Sequence, residues 1–266
     1  RAPEDTRQPI TSKPSIIRHP DGGYLILFGT GKYFEDGDDI VNDPIQINTF
    51  YGIWDQNTPV SSVRSRALPN SPSSAQPSNI LQPQSIIEED SELFGAEVQA
   101  TRTISSNNVD YAIQKGWYLD LVSPANGPEG ERVIGSPVVS ITESNSPLVL
   151  FNSFIPSEGC ESTGGRSILF ALDPIQGSRT DHAVFDLNED GEYDDEDGYE
   201  NDDGSGEHLH DNGLVLDSTV APVNLISSKD QTINHVITSE LDGTIKVDNI
   251  DGAETSLGRQ SWRQLR

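Results

Sequence analysis

Apolar residues in this chain come in short bursts, each closed by a turn signal, and that pattern restricts what it can fold into. Residues 24–30 (YLILFGT), 50–55 (FYGIWD), 109–113, 117–121 (WYLDL), 137–141, 148–154 (LVLFNSF), 167–172 (SILFAL), 223–227, 232–238 and 244–248 each read as one strand. None repeats at helical spacing, and the 23 Gly and 17 Pro are spread along the whole length, so turns are available everywhere. The prediction is an all-β chain. Roughly ten strands build two to three four-stranded antiparallel sheets. The 266 residues suffice for one large β domain or two small ones.

Several strands end alike. The run through Leu172 meets Asp173 and Pro174 and reaches Gly177, and the run through Trp54 meets Asp55 and then the polar Gln56, Asn57, Thr58 and Pro59. A strand, an acid and a turn in succession is a figure that recurs in propeller blades. Asp242-Gly243 supplies the positive φ angles of a tight hairpin between two further strands. Two insertions interrupt the figure. Residues 56–92 are rich in Ser, Pro, Asn and Gln, which bury too little apolar area to offset the entropy of ordering, and are expected to form a long surface loop. Residues 186–212 form the second insertion, which is acidic.

The formal charge is -26, from 43 Asp and Glu against 17 Lys and Arg. Such a chain repels a phosphate backbone, which excludes nucleic acid as a partner. The acidity itself leaves three readings open: solubility, divalent cation binding, or adaptation to salty surroundings. Its distribution narrows them, because 13 of the acidic residues fall between Asp186 and Asp211 with no Lys or Arg among them.

Within that stretch, Asp186, Asn188, Asp190 and Asp194 occupy positions 1, 3, 5 and 9 of a loop with Gly191 at position 6, the front of an EF-hand-type calcium loop. Calcium takes six to eight oxygens at roughly 2.3–2.6 Å, and alternate residues of a tightly wound loop can aim their oxygens at one centre. Gly191 permits the sharp turn, the Glu192 carbonyl is the expected position-7 ligand, and Asp197 stands at position 12, where it or water would complete the shell. Nothing after Asp197 reads as helix, so a loop site without flanking helices is expected. Composition alone does not separate such a site from a solvated acidic loop; the spacing favours calcium (Ca2+), and it favours calcium over magnesium, which demands octahedral geometry and keeps its waters.

Other chemistry-bearing residues read as structural. Glu35, Asp36, Asp38, Asp39 and Asp43 lack ligand spacing and read as a polar loop rather than a second cation site. His208 and His210 have no Cys or third His nearby for zinc. Trp54, Trp117 and Trp262 lie in apolar strand contexts and are assigned to the core. Cys160, the single cysteine, has no His near it in sequence to act as a base, and no disulfide can form within the chain. No phosphate loop, nucleophile elbow or zinc-protease motif occurs, so no enzyme activity is expected. No run approaches the length of a membrane span, and the lack of any Met reads as a piece of something longer.

Taken in order, the phrases at 24–34 (YLILFGTGKYF), 50–55 (FYGIWD), 116–121 (GWYLDL), 130–135 (GERVIG), 154–160 (FIPSEGC), 170–173 (FALD) and 258–265 (GRQSWRQL) resemble the C-terminal propeller region of the PilY family, from about Arg18 to the end. The resemblance implies a bacterial adhesin and biogenesis factor at the tip of a type IV pilus, secreted or outer-membrane-associated, supporting pilus assembly, twitching motility and attachment to a host or abiotic surface. It implies minor pilins and the upstream part of the same protein as partners. The family's calcium loop maps onto Asp186, Asn188, Asp190 and Asp194. The family's upstream blades, adhesive domain and signal sequence are not present here, so this chain is expected not to close a full propeller. Two other classes stand beside this reading: a quinoprotein-like propeller enzyme, which would need cofactor-stacking aromatics and a catalytic acid, and a generic extracellular calcium-binding module unrelated to pili.

Overall fold

A computed structural model describes residues 7–56, 81–94, 97–141, 146–157, 165–200, 208–216, 223–227, 233–239 and 245–251. The strands are β1 Ser15–Arg18, β2 Tyr24–Gly29, β3 Thr49–Asp55, β4 Gln82–Gln84, β5 Ile86–Phe94, β6 Glu97–Ile104, β7 Gly116–Asp120 and β8 Val138–Ile141. They continue as β9 Pro147–Pro156, β10 Gly165–Leu172, β11 Gly198–Glu200, β12 His208–His210, β13 Gly213–Leu216, β14 Asn224–Ser227, β15 Ile233–Ser239 and β16 Ile245–Asp251. The chain is all-β, as expected. Among the described residues the helical content is one 3-10 turn, Asp195–Asp197.

Three sheets stack as blades. The first has the order β1-β2-β3-β7-β4, the second β5-β6-β13-β10-β9-β8, and the third β14-β15-β16, with β11 and β12 forming a separate ribbon. Strand counts of five, six and three bracket the expected four. The first sheet gains β4, the one parallel addition, against β7, and the second gains the β5–β6 hairpin.

The middle sheet is buried on both faces. In β9 every residue after Pro147 is buried, and in β10 every residue except Arg166. Toward the first sheet, Phe151, Ile168, Phe170 and Leu172 meet Leu25, Leu27, Phe50, Trp117 and Leu119 in one core. Phe50 and Phe151 lie parallel at 3.7 Å between ring centroids, and Phe151 stacks on Phe170 at 4.9 Å. Trp117 is fully buried, its indole N–H bonded to the Pro174 carbonyl at 2.8 Å. It fits there because Gly52, on the neighbouring strand, has no Cβ; one added at Gly52 would overlap the indole ring. Toward the third sheet, Leu148, Leu150, Leu169, Leu214 and Leu216 meet Val184, Phe185, Val223, Val236 and Ile250.

A buried charge cluster ties the second sheet to the segment between β7 and β8. Arg102 is fully buried; its Nη1 reaches both Glu131 oxygens at 2.9 and 2.8 Å, and its Nε bonds Glu89. Ser153 donates to Glu131 and Ser123 to Glu89, which leaves both carboxylates paired and hydrogen-bonded, as buried charge requires.

Two expectations are corrected. Residues 81–92 do not belong to a loop: β4 and most of β5 occupy them, with Leu81, Gln84 and Ile86 buried. Residues 57–80 of that stretch lie outside the described residues. Residues 109–113 form a turn instead of a strand, because the Asp110 side chain accepts from the Ala112 amide at 3.0 Å and its carbonyl accepts from Ile113 and Gln114. The acid–turn figure after β10 does form: Asp173 Oδ1 accepts from the Ile175 amide at 2.6 Å and its carbonyl from Gly177 at 2.7 Å. The expected hairpin at Asp242-Gly243 lies outside the described residues.

Candidate metal centre

The acidic loop grows out of the seam between the second and third sheets. Ala183, Val184, Phe185 and Leu187 are buried and form its stem. Asp251 at the end of β16 donates its amide to the Val184 carbonyl at 3.1 Å, and Phe185 forms a bridge with Ile250. An apolar stem clamped to β16 thus fixes where the next residue, Asp186, begins to turn outward.

From there four side chains cap the backbone a few residues on. Asp186 Oδ2 accepts from the Gly191 amide at 3.2 Å, Asn188 Oδ1 from Asp190 at 3.0 Å, Asp190 Oδ1 from Glu192 at 2.8 Å, and Asp194 Oδ1 from Glu196 at 2.8 Å. Glu189 and Gly191, at φ 60° and 85°, supply the left-handed residues that let the chain wind. Asp197 ties the two ends together. It is 1% exposed, and its Oδ1 accepts from Leu187 at 2.7 Å and from Asn188 at 3.2 Å while Oδ2 faces the Asp194 amide at 3.4 Å. Burial, reinforced by the Asp186 charge and opposed by those amides, pushes Asp197 up to about 6.

Of the predicted ligands, Asp186, Asn188, Asp190, Glu192 and Asp194 fall within one winding of the loop, with Asp197 closing it. Their carboxylates are not gathered onto a point: among the described residues no group of three or more His, Cys, Asp or Glu side chains is assembled to hold a metal ion. The donor set nonetheless fits a hard cation. It consists of carboxylate and amide oxygens on a wound loop, and Asp186 Oδ1 is buried without a hydrogen-bond partner. The nearby Tyr193 hydroxyl is likewise buried and unpartnered, and burial followed by the Asp186 charge raises its pKa.

The other candidates have structural roles. Asp38 is saturated: its Oδ2 accepts from the Phe34 and Glu35 amides at 3.0 and 2.9 Å and its Oδ1 pairs with Lys32 at 2.9 Å. Burial opposes its ionisation, but the amides and Lys32 outweigh this and hold Asp38 at about 2. His210 is buried, 3.9 Å from Asp195, and desolvation lowers its pKa; His208 is exposed. Trp54 and Trp117 are in the core as predicted. Cys160 and Trp262 lie outside the described residues. The Arg102–Glu131 cluster was invisible to motif reading because its members stand 29 positions apart and carry no spacing signature.

The stacked sheets and the wound acidic loop define a class first: this is a segment of a β-propeller. Residues 3–93 match the family described as PilY1 beta-propeller domain. The type IV pilus biogenesis factor PilY1 of Pseudomonas aeruginosa strain UCBPP-PA14 is 32% identical over 200 residues, covering 70% of this chain and 16% of that protein. A PilY1 homolog of Xylella fastidiosa is 34% identical over 179 residues, 66% of this chain and 10% of that protein. The crystal structure of the P. aeruginosa PilY1 C-terminal domain superposes with a TM-score of 0.71 at 26% identity, covering 92% of this chain and 45% of that domain. The chain belongs to the PilY family. It spans about a sixth of the P. aeruginosa relative, which is named a pilus biogenesis factor and not an enzyme. No helix among the described residues is long and apolar enough to cross a membrane.

Proposed function

We propose that this chain is a calcium-stiffened propeller segment of a type IV pilus biogenesis protein, acting outside the cell as a structural and adhesive module at the pilus tip. It works with minor pilins and with the upstream part of its own protein, and supports assembly, twitching motility and attachment to surfaces. The observation that carries the calcium reading is the loop itself: side-chain oxygens on alternate residues, wound about a left-handed glycine, with one buried Asp186 oxygen lacking a partner.

Asp186, Asn188, Asp190 and Asp194 would hold the ion, with the Glu192 carbonyl and Asp197 or water completing the shell. Calcium would supply charge neutralisation to a stretch with no Lys or Arg, and binding only the folded state would stabilise that state by mass action. Because the loop stem is clamped to β16, that stabilisation reaches the third sheet. Titration calorimetry tests the site: Asp190→Ala should weaken calcium binding at least tenfold, about 1.4 kcal/mol. Equal affinities, or no binding to either protein, would refute it. The pilus role is tested separately, by deleting the gene and asking whether pili are lost.

A further inference from the structure

Asp197, at position 12 of the acidic loop, is the acid that the fold encloses: it is 1% exposed, whereas Asp190, Glu192 and Asp194 are open to solvent. Its two oxygens are turned to three amides. Oδ1 accepts from Leu187 at 2.7 Å and from Asn188 at 3.2 Å, and Oδ2 faces the Asp194 amide at 3.4 Å. The capping is reciprocal, since the Asp197 amide donates to the Asp194 carbonyl at 3.2 Å. These amides stand at loop positions 2, 3 and 9. A single carboxylate therefore fixes the backbone on both arms of the loop, at Asn188 and at Asp194, while Asp190 and Glu192 lie at the exposed tip between them.

A ligand at position 12 would have to turn an oxygen toward the tip and release the amides beside the buried Leu187. An amide left without a partner in such a setting is costly, and a carboxylate that already accepts from three amides has most of its acceptor capacity in use. We propose that Asp197 is a positioning residue and not a ligand. It holds the loop wound in the calcium-free protein, so that Asn188 and Asp194 are placed relative to each other before any ion binds. Of the two candidates for the last positions of the shell, Asp197 and water, the geometry favours water. A ligand set ordered in advance binds more tightly, because less ordering is left to the binding step. The effect on affinity rests on the calcium reading above; the clamp itself does not need the ion.

The test separates holding from ligating. In calcium-free protein, Asp197→Ala should speed amide exchange at Leu187 and Asn188 by roughly tenfold or more, whereas Asp190→Ala should leave both within about twofold of the unsubstituted protein. Either substitution should weaken calcium binding by about tenfold or more in titration calorimetry. Asp197→Asn keeps an oxygen for the Leu187 and Asn188 amides and should bind calcium within roughly threefold of the unsubstituted protein. Adding calcium to the unsubstituted protein should move the side-chain carboxyl-carbon NMR resonances of Asp190 and Asp194 and leave that of Asp197 in place. A shift at Asp197 equal to that at Asp190 would overturn the proposal, as would unchanged exchange at Leu187 and Asn188 in Asp197→Ala. Should Asp197→Ala fail to fold, the carboxyl resonances of the unsubstituted protein decide. Failure of the underlying calcium reading looks different: the unsubstituted protein then binds no calcium, and none of these resonances moves.

Discussion

The two seams of this molecule are built from different material. Between the first and second sheets the contact is built around an aromatic stack: Phe50, Phe151 and Phe170 lie in series among aliphatic neighbours, Trp117 packs beside them, and Arg102 is buried with two glutamates nearby. Between the second and third sheets the contact is mostly aliphatic, with Phe185 as the aromatic member, the partner sheet has three strands among the described residues, and an acidic loop is clamped against its last strand. Large aromatic side chains bury the most area each and hold their geometry without outside help. A three-stranded sheet with an acidic loop clamped to its last strand has less apolar area to offset the loop's charge repulsion. The comparison therefore separates a self-sufficient seam from one that, on the calcium proposal, is completed by an ion.

The largest expected effect breaks the first seam. Trp117→Ala should cost about 3–5 kcal/mol, by lost burial and a cavity between Gly52 and the Pro174 turn, and added calcium should not restore it. Denaturant unfolding with and without calcium measures both statements. Next comes the buried charge cluster: Glu131→Gln leaves Arg102 buried with Glu89 as its one remaining counter-charge and should cost roughly 3 kcal/mol. The same denaturation series should show it as a lowered midpoint with unchanged slope.

The smallest effect belongs to the second seam and to pH. His182 Nε2 stands 3.4 Å from Asp251 at the end of β16, and Nδ1 is 2.8 Å from Asp181. Asp251 first, and then Asp181, raise the His182 pKa above its ordinary value against the pull of burial. A raised histidine contributes its stability fully below the unfolded value of about 6.5 and loses it as pH climbs through the folded value. His210 has a lowered pKa and acts in the opposite sense, so the useful quantity is a difference. Wild type should exceed His182→Gln in stability by somewhat under 1 kcal/mol at pH 6, and the gap should close by about pH 8. Thermal melts at the two pH values check it.

Short apolar runs closed by turn residues made β2, β3, β9 and β10 readable from sequence: β2 and β3 bury alternate residues most deeply, and β9 and β10 face a core on both sides. The β5 strand was not readable. Its Glu88 and Glu89 look like solvated loop until their partners are known, and these are Tyr199, at 2.5 Å from Glu88, and Arg102. Polar side chains satisfied from distant positions leave no local periodicity. At the candidate site, the positions of Asp186 through Asp194 were legible as spacing, and Asp197 was legible as position 12. That Asp197 would tie both ends of the loop through the Leu187 and Asn188 amides was not, since it depends on how tightly the chain winds.

Amide hydrogen exchange with and without calcium tests the difference between the seams most directly. Calcium should slow exchange in β15 and β16, Ile233–Ser239 and Ile245–Asp251, and around the loop stem at Val184, because the Val184 carbonyl holds the last strand. It should leave β3 and β7, Thr49–Asp55 and Gly116–Asp120, unchanged. No change anywhere, or equal slowing in both seams, would contradict the account.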